Sequence, residues 1–230
     1  MDDWNVQRDD LCTRLTAKRQ EIYLSGKVER RSGKAVDVWP VGLSRERGLC
    51  LLDLVVDEQA KTCIETGMAY AMSTSYLLQG CLQNATSRPE AAIVISVDPF
   101  EETDWGGAGA RFIEDCGAAS FHRNHPVPSE LLLPQLVRDE QRFDFAFIDG
   151  DHRFEHVFTD IFYARRLVRP DGLIVVDDAW MPSVQKAVRF FCSSQLCTHE
   201  NDHLEQTQKL FCLRVSSIGD GRPWDHFSEF

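Results

Sequence analysis

From Lys61 onward the sequence alternates short apolar runs with longer segments of helical periodicity, and few folds accommodate that alternation. Strands are predicted at 62–66, 92–98, 118–122, 143–149, 172–177 and 209–215. Helices are predicted at 71–83, 107–116, 129–139, 153–168 and 182–194. Strands that alternate with helices favour an α/β fold with a doubly wound, mostly parallel sheet. The last run, 209–215, follows a polar stretch, which predicts an antiparallel edge strand.

The residues before Lys61 follow a different pattern. Residues 8–24 predict an amphipathic helix, the polar stretch 26–41 predicts a loop, and Ser44 is positioned to cap a second helix that ends near Glu58. We therefore predict an N-terminal helical extension over 1–60 and one cofactor-binding domain over 61–230. The N-terminal helices are candidates for pairing subunits in a homo-oligomer.

Composition narrows the class of partner. A formal charge of −11 opposes binding to a nucleic-acid backbone, which requires a basic face, so a small-molecule substrate is expected. The chain begins with an acidic, polar segment rather than a signal peptide, and its apolar run 49–56 is too short to cross a bilayer. Eight scattered cysteines without a C-x-x-C pair are expected to be reduced core thiols, which predicts a cytoplasmic protein without membrane contact.

Ligands of open α/β sheets bind outside the carboxyl ends of the strands, so polar residues at those ends are candidate site residues. Gly67 follows the first strand of the domain and permits a tight turn, although an ordinary strand-to-helix turn has the same pattern. Asp98 ends the second strand, where a carboxylate can accept both hydroxyls of a ribose or, alternatively, form an Asp-Pro turn. Ser129 follows the third strand and would either lie beside an adenine or cap the next helix.

The segment 143–152, FDFAFIDGDH, is a buried-type strand that ends in two acids and a histidine. The next strand ends in Asp177 and Asp178. Adjacent parallel strands would bring Asp149, Asp177 and Asp178 together, and three close carboxylates repel one another unless a cation neutralises them. Oxygen ligands of this kind favour Mg²⁺ or another hard divalent cation. The alternative is a metal-free edge where Asp149 orients a loop and Asp178 caps a helix.

The paired motifs FIDGDH and VVDDAW resemble those of small class I S-adenosylmethionine-dependent methyltransferases, and the resemblance covers about 61–215. It is strongest to the metal-dependent macrolide-sugar O-methyltransferases and weaker to catechol and caffeoyl-CoA O-methyltransferases. This resemblance implies a Rossmann-like fold with S-adenosylmethionine as cofactor. It also implies that Asp149, Asp177 and Asp178 bind Mg²⁺ and that His152 is the general base. It also implies a cofactor site made of Glu65, Gly67, Ala69, Tyr70, Ser73, Asp98, Ser129 and Asp149.

Within that cofactor site, the resemblance places Ser73 at the methionine end, Asp98 at the ribose and Ser129 at the adenine. Two positions depart from the family pattern. Ala69 replaces a second glycine that many methyltransferases have, which narrows the space beside the cofactor. Asp171-Gly172 replaces a Gly-Gly turn before the fifth strand, and no functional consequence is expected.

Other functions remain open from the residues alone. His152 and His156 with Glu155 match the H-x-x-E-H pattern of inverted zinc peptidases. A metal-independent N- or C-methyltransferase, a non-catalytic nucleotide-binding protein of the same fold and an NAD-dependent oxidoreductase are further alternatives, the last without its glycine fingerprint. His199 and His203 form another pair four residues apart, for which a solvated surface segment is expected.

Overall fold

The structure, a computed structural model, describes residues 3–91 and 93–216. The chain divides into two units, 1–128 and 129–230. The first residue of the strand predicted at 92–98 and the end of the predicted domain, 217–230, lie outside the described residues. A domain boundary at residue 60 stays a prediction.

The first unit carries three strands of the main sheet, and all three are parallel. Its helices are α1 (Asp3–Ser25), α2 (Arg45–Asp57), α3 (Met72–Asn84) and α4 (Ala108–Asp115). Its strands are β1 (Lys27–Glu29), β2 (Ala35–Asp37), β3 (Cys63–Thr66), β4 (Val94–Val97) and β5 (His122–His125). Strand β4 lies between β3 and β5, and Glu65 is in register with Ser96. The parallel strands therefore end together, at Thr66, Val97 and His125.

The second unit carries four strands of the main sheet. Its helices are α5 (Ser129–Arg138), α6 (Phe154–Leu167), α7 (Pro182–Ser193) and α8 (Asp202–Gln208). Its strands are β6 (Phe143–Ile148), β7 (Val168–Val176), β8 (Cys197–Glu200) and β9 (Phe211–Val215). Strands β6 and β7 are parallel, whereas β9 pairs antiparallel with β7 and β8 pairs antiparallel with β9. The predicted fold class, α/β with a mostly parallel sheet and an antiparallel edge, is confirmed.

Three local predictions were wrong. The apolar run 118–121 forms a short 3-10 turn, and the strand follows it at His122–His125, where the side chains are polar. The stretch predicted as a loop at 26–41 contains the β1–β2 hairpin. The polar stretch before β9 contains α8 and β8, so β8, rather than β9, is the outer antiparallel strand.

The N-terminal helix packs against α3 inside the first unit. Leu11, Leu15 and Ile22 are buried on one face of α1, as their helical spacing predicts. Arg19 is also buried, because its guanidinium donates to the Ser75 carbonyl at 3.0 Å and lies 4.0 Å from the centre of the Tyr76 ring. This helix is therefore part of the packed core of its unit.

Helix α2 begins as predicted and packs closely on α3. The Ser44 hydroxyl accepts the Arg47 N–H at 3.3 Å and caps the helix. Gly48 lies so close to Tyr76 that a Cβ atom there would be 2.0 Å from the ring. A small residue at this position allows the two helices to approach.

The eight cysteines are free thiols, and burial raises the pKa of Cys12, Cys50 and Cys116 to about 11. These thiols are therefore protonated and weakly nucleophilic at neutral pH, as expected of core residues. In the described ranges, every helix is too short or too polar to span a membrane.

The packing of α1 predicts that two of its leucines contribute very differently to the free energy of unfolding. Leu15 is 0% exposed and Leu24 is 78% exposed. Leu15→Ala is expected to lower the free energy of unfolding by about 2–5 kcal/mol, because it leaves a cavity, whereas Leu24→Ala should change it by less than about 0.5 kcal/mol. Urea denaturation measures both, and equal effects would contradict the burial of α1.

Candidate functional site

The loop after β3 is an unusual segment of backbone. Gly67 has φ +83°, and two alanines, Ala69 and Ala71, also adopt positive φ values, 44° and 58°. Non-glycine residues rarely take this conformation, so the loop is held by its surroundings. Gly109 permits this arrangement, since a Cβ atom there would lie 2.5 Å from the Ala69 carbonyl oxygen.

Glu65 lies on β3, just before this loop, and its side chain is fully buried. Its carboxylate accepts the hydroxyls of Ser73 at 2.9 Å, Ser96 at 2.7 Å, and Thr74. Two of these hydroxyls lie on the first turn of α3 and one lies on β4. A buried charge requires such donors, and here they fix the start of α3 to the end of β3.

Ser96 connects Glu65 to a histidine on β5. The Ser96 oxygen lies 2.8 Å from His122 Nε2. Because the single Ser96 proton is donated to Glu65, the histidine must donate its Nε2 proton to Ser96. Burial lowers the pKa of His122 to about 4, which keeps the ring neutral and consistent with this arrangement.

Asp98 is buried at the end of β4 and points back to the loop. One carboxylate oxygen, Oδ2, accepts the N–H groups of Met68 at 3.1 Å and Ala69 at 2.8 Å, and the indole N–H of Trp105 at 3.1 Å. The other oxygen, Oδ1, accepts the Phe100 N–H at 2.9 Å. Tyr70, which is buried, packs edge-on against Trp105 with ring centres 5.3 Å apart. The structure thus brings Asp98, Tyr70 and the predicted cofactor loop together.

Ser129 begins α5 in the second unit. Its hydroxyl donates to the buried carboxylate of Asp160 on α6, at 2.6 Å. This contact joins two helices of that unit and leaves the hydroxyl oxygen as an acceptor. The role of Ser129 beside an adenine stays a prediction.

The acids after β6 and β7 form a compact group with a histidine. His152 Nε2 lies 3.0 Å from Asp178 Oδ2 and 3.4 Å from Asp149 Oδ1. All three residues are partly buried, with side chains 35%, 17% and 24% exposed, so the charges are only partly solvated. The Ser183 hydroxyl donates to the His152 carbonyl at 2.6 Å and fixes the backbone of the turn. We name Asp149, His152 and Asp178 the carboxylate–histidine group.

Asp177 and Asp178 have different surroundings although they are neighbours in sequence. Asp177 is buried, and its Oδ1 accepts the N–H of Asp178 at 2.7 Å. Asp178 has φ +55°, a left-handed conformation, and its Oδ1 accepts the indole N–H of Trp180 at 2.9 Å. Of the predicted metal ligands, the structure therefore brings Asp149 and Asp178 together, with His152 as the third member of the group.

The two carboxylates determine the charge of His152. Their contacts with Nε2, Asp149 first and then Asp178, raise the pKa of His152 to about 10 despite its partial burial. In this arrangement the ring is an imidazolium at neutral pH. Nε2 itself is buried and makes no well-directed hydrogen bond, so its contacts with the carboxylates are mainly electrostatic.

The donor set of the carboxylate–histidine group suits a divalent cation. Two carboxylates and one imidazole supply ligand atoms that lie within 4.8 Å of one another. Carboxylate oxygens favour Mg²⁺ or Mn²⁺, and the imidazole shifts that preference towards Mn²⁺ and other transition metals.

The zinc-peptidase pattern at 152–156 does not form. That pattern requires both histidines on one face of a helix, whereas α6 begins at Phe154, after His152. His199 belongs to a separate polar group, in which its Nδ1 lies 3.4 Å from Asp202 and its Nε2 lies 3.7 Å from Glu205. Each ring nitrogen faces a different carboxylate, and one ligand atom from each of the three residues lies within 4.8 Å of the others.

Several residues of these sites were missed by sequence reasoning. Ser96 and His122 lie inside or beside strands, and nothing in their spacing indicates a contact with Glu65. Nothing in the spacing of Trp105 predicts that its indole N–H meets Asp98. The one available signal was that β4 carries a serine within an otherwise apolar run, a buried hydroxyl that requires a partner.

Polar residues at the carboxyl ends of parallel strands lie where open α/β sheets bind their ligands. Residues 64–179, half of the chain, match the family model described as Methyltransferase domain. The chain therefore belongs to the methyltransferase-domain family, and the predicted enzyme class, a methyltransferase, is confirmed. A search of curated proteins finds no significant match.

Solved structures of methyltransferases share the fold. An O-methyltransferase from Bacillus cereus, in complex with S-adenosylhomocysteine, is 17% identical, with a TM-score of 0.61 over 88% of this chain and 90% of that one. The O-methyltransferase TomG from Streptomyces achromogenes, in complex with S-adenosylmethionine, is 19% identical, with a TM-score of 0.59 over 76% and 82%. The methyltransferase PaMTH1 from Podospora anserina is 15% identical, with a TM-score of 0.61 over 91% and 88%.

The neutral state of His122 predicts how stability depends on pH. Its pKa is about 4 in the folded protein and 6.5 for an ordinary histidine. Between these values the unfolded chain binds a proton that the folded chain does not, so stability falls as the pH decreases through this window. The expected loss from this group between pH 7 and pH 5 is up to about 2 kcal/mol.

Urea denaturation of His122→Asn at both pH values tests this expectation. The variant should be less stable at pH 7 but lose less stability on acidification than the wild type. His203→Asn, at an exposed position, is the matched control and should keep the wild-type pH dependence. A variant with an unchanged pH dependence would show that His122 is not the responsible group.

Proposed function

We propose that this protein transfers the methyl group of S-adenosylmethionine to a hydroxyl group of a small molecule, with assistance from a divalent cation, Mg²⁺ or a similar ion. The carboxylate–histidine group carries the proposal, because it places a proton acceptor beside two oxygen ligands after adjacent parallel strands. The O-methyltransferase neighbours share only the fold at this level of identity, but they support the same chemistry. The net charge of −11 supports a small-molecule acceptor over a nucleic acid, and we propose a cytoplasmic location.

The first unit would bind the cofactor. Gly67 and the following loop would lie along the ligand's methionine part, and Glu65 holds that loop through Ser73. Asp98 would accept a hydroxyl of the ribose, and Tyr70 would lie beside it. The family resemblance implies that Ser129 contacts the adenine and that Asp149 serves both the cofactor and the cation.

The second unit would activate the acceptor. Asp149 and Asp178 would hold the cation, with Asp177 supporting Asp178 through its backbone N–H. When bound, the cation supplies a Lewis acid that lowers the pKa of a hydroxyl group. With a cation on Asp149 and Asp178, their charge would no longer raise the pKa of His152, and its neutral imidazole would take the proton of that hydroxyl as the hydroxyl oxygen forms a bond to the methyl carbon. The carbon–sulfur bond breaks in the same step, and its electron pair neutralises the sulfonium, which gives S-adenosylhomocysteine.

A metal-independent methyltransferase is the second candidate, and one observation favours it. Asp149 and Asp178 raise the pKa of His152 to about 10, so the imidazolium already neutralises part of their charge. In that case the group would bind a polar acceptor without a cation. Full methyl transfer after exhaustive treatment with EDTA would favour this second candidate over the first.

Cofactor binding is tested by replacing the predicted ribose acid. Asp98→Asn should raise the Kd for S-adenosylhomocysteine at least about tenfold, because a charged hydrogen bond to the ribose is lost. Asp104→Asn is the matched control, since Asp104 is exposed in the same loop and its contacts with Arg30 and Phe100 are made by its backbone. Calorimetric titration measures both. A wild-type protein that fails to bind S-adenosylhomocysteine would overturn the proposed cofactor.

The metal and base are tested together by variants of the carboxylate–histidine group. Asp178→Asn should weaken Mn²⁺ or Mg²⁺ binding about tenfold or more, because a charged ligand is replaced by a neutral one. His152→Gln should slow methyl transfer to a panel of hydroxyl compounds about 100-fold while the Kd for S-adenosylhomocysteine stays unchanged.

Two neighbouring residues serve as controls for these variants. Asp151 is exposed and paired with Arg153, so Asp151→Asn should leave cation binding unchanged. His156→Gln should leave methyl transfer unchanged, because the proposed base is His152 alone. Cation binding that is equal in wild type and Asp178→Asn would remove the proposed metal site, and full activity of His152→Gln would remove the base.

A further inference from the structure

The hydrogen bond from Trp105 to Asp98 has no role in the function proposed so far. Trp105 lies seven residues after Asp98, on the loop that leads into α4, and its indole N–H reaches Asp98 Oδ2 at 3.1 Å. We propose that Trp105 is a positioning residue that holds Asp98 for recognition of the ribose, and that the β1–β2 hairpin holds Trp105 in place. The inference rests on the proposed function, because it assigns the ribose to Asp98.

The hydrogen bonds of Asp98 indicate which of its oxygens can meet a ligand. Oδ2 already accepts three donors, from Met68, Ala69 and Trp105. Within residues 3–91 and 93–216, Oδ1 accepts one hydrogen bond, from the N–H of Phe100. A carboxylate oxygen has two lone pairs, so Oδ1 is the oxygen with capacity for a ribose hydroxyl. The direction of that oxygen is fixed because the other oxygen is held from three sides.

The loop that carries Trp105 is itself held in shape. The carbonyl of Phe100 accepts the N–H groups of Asp104 at 2.9 Å and Trp105 at 3.1 Å. Glu101, which is fully buried, accepts the Ala110 N–H with its side chain at 2.9 Å and the Gly107 N–H with its carbonyl at 2.8 Å. The indole therefore projects from a closed turn, and its direction does not depend on the Asp98 contact alone.

The β1–β2 hairpin contacts the outer side of this turn through two arginines at its tip. The Arg31 N–H donates to the Gly106 carbonyl at 3.0 Å, and the Arg30 side chain donates to the Asp104 carbonyl at 2.7 Å. Gly106 and Gly107 have positive φ values, and Cβ atoms there would lie 2.7 and 2.6 Å from the Cδ atoms of Arg30 and Arg31. The two glycines allow the arginine stems to cover the turn directly.

Ion pairs hold the hairpin to α4 on the other side. Arg31 pairs with Glu114, with one contact at 3.0 Å and a second, shorter one. Arg111 pairs with Glu29 at 3.1 Å and donates to the Arg30 carbonyl at 2.8 Å. Hairpin, turn and α4 are thus linked by both backbone and charged contacts, and Trp105 extends from the turn to Asp98.

A comparison of three ligands and two proteins tests the role of Trp105. Trp105→Phe keeps a ring against Tyr70 but removes the N–H group. Calorimetry would measure the Kd of the wild type and of this variant for S-adenosylhomocysteine and for its 3′-deoxy and 2′-deoxy analogues. We expect Trp105→Phe to raise the Kd for S-adenosylhomocysteine about tenfold, the effect of losing one hydrogen bond to a charged group.

The analogues separate a positioning role from a merely structural one. If Trp105 positions Asp98 for a ribose hydroxyl, one deoxy analogue should bind both proteins with nearly equal affinity, because the contact that Trp105 supports is already missing. If Trp105 only stabilises the loop, the variant should lose the same factor for every ligand, which would overturn the proposal. Tighter binding of S-adenosylhomocysteine by Trp105→Phe would overturn it too, since the indole would then compete with the ribose.

The hairpin's part is tested by Arg31→Ala, with Lys27→Ala as the matched control. Lys27 pairs with Asp37 at the opposite end of the same hairpin, away from the turn. Arg31→Ala should raise the Kd for S-adenosylhomocysteine three- to tenfold, and it should reduce the ratio between the Kd for the deoxy analogue and the Kd for S-adenosylhomocysteine. Lys27→Ala should change neither quantity. Equal behaviour of the two variants would remove the hairpin from the proposal.

The outcome also distinguishes this inference from the proposed function. A wild type that does not bind S-adenosylhomocysteine would contradict the cofactor assignment itself. A second outcome would contradict only the role of Trp105. In it, the wild type binds S-adenosylhomocysteine more tightly than the deoxy analogues, and Trp105→Phe binds every ligand with the same affinity as the wild type.

Discussion

The carboxylate of Glu65 is buried at the end of β3, and the rest of the first unit's site depends on how its charge is satisfied. Hydroxyl groups from the first turn of α3 and from β4 donate to it, which fixes a strand, a helix and a neighbouring strand at one point. The loop between Glu65 and α3 must then be short, and positive φ values at Ala69 and Ala71 are the consequence. The N–H groups of that loop, at Met68 and Ala69, are thereby directed to Asp98.

In the second unit the equivalent constraint is the backbone conformation of one residue. Two adjacent aspartates on a continuing strand would point to opposite faces of the sheet. At Asp178 the chain instead turns into the left-handed region, so its side chain reaches His152 while Asp177 stays buried and bonds the backbone. The left-handed backbone at Asp178 thus gives the two neighbouring acids different roles. Asp177 has a structural role, and Asp178 has a candidate chemical one.

Most of the sheet could be predicted because its strands are apolar and buried, as in 143–148 and 172–176. The misplaced strand shows the limit of that signal. The apolar run 118–121 packs as a turn, and the polar residues of β5 become a strand by pairing with β4 alone. The hairpin at 27–37 was missed for the same reason, since Val28 is the one buried side chain in its short strands. Site residues at strand ends were predictable from position, whereas Trp105, Ser96 and His122 act through contacts that spacing does not reveal.

Asp98 and Asp178 share one feature, in that each accepts a hydrogen bond from an indole. An arginine in the same place would orient the carboxylate but also cancel its charge. An indole N–H is a neutral donor that neither gains nor loses a proton across the physiological range. The two acids are thus oriented by donors that bring no charge of their own. Each tryptophan also places a chromophore in direct contact with a candidate ligand-binding group, so the ultraviolet emission of a variant that keeps only Trp105 or only Trp180 of the five tryptophans should report on ligand binding at that group.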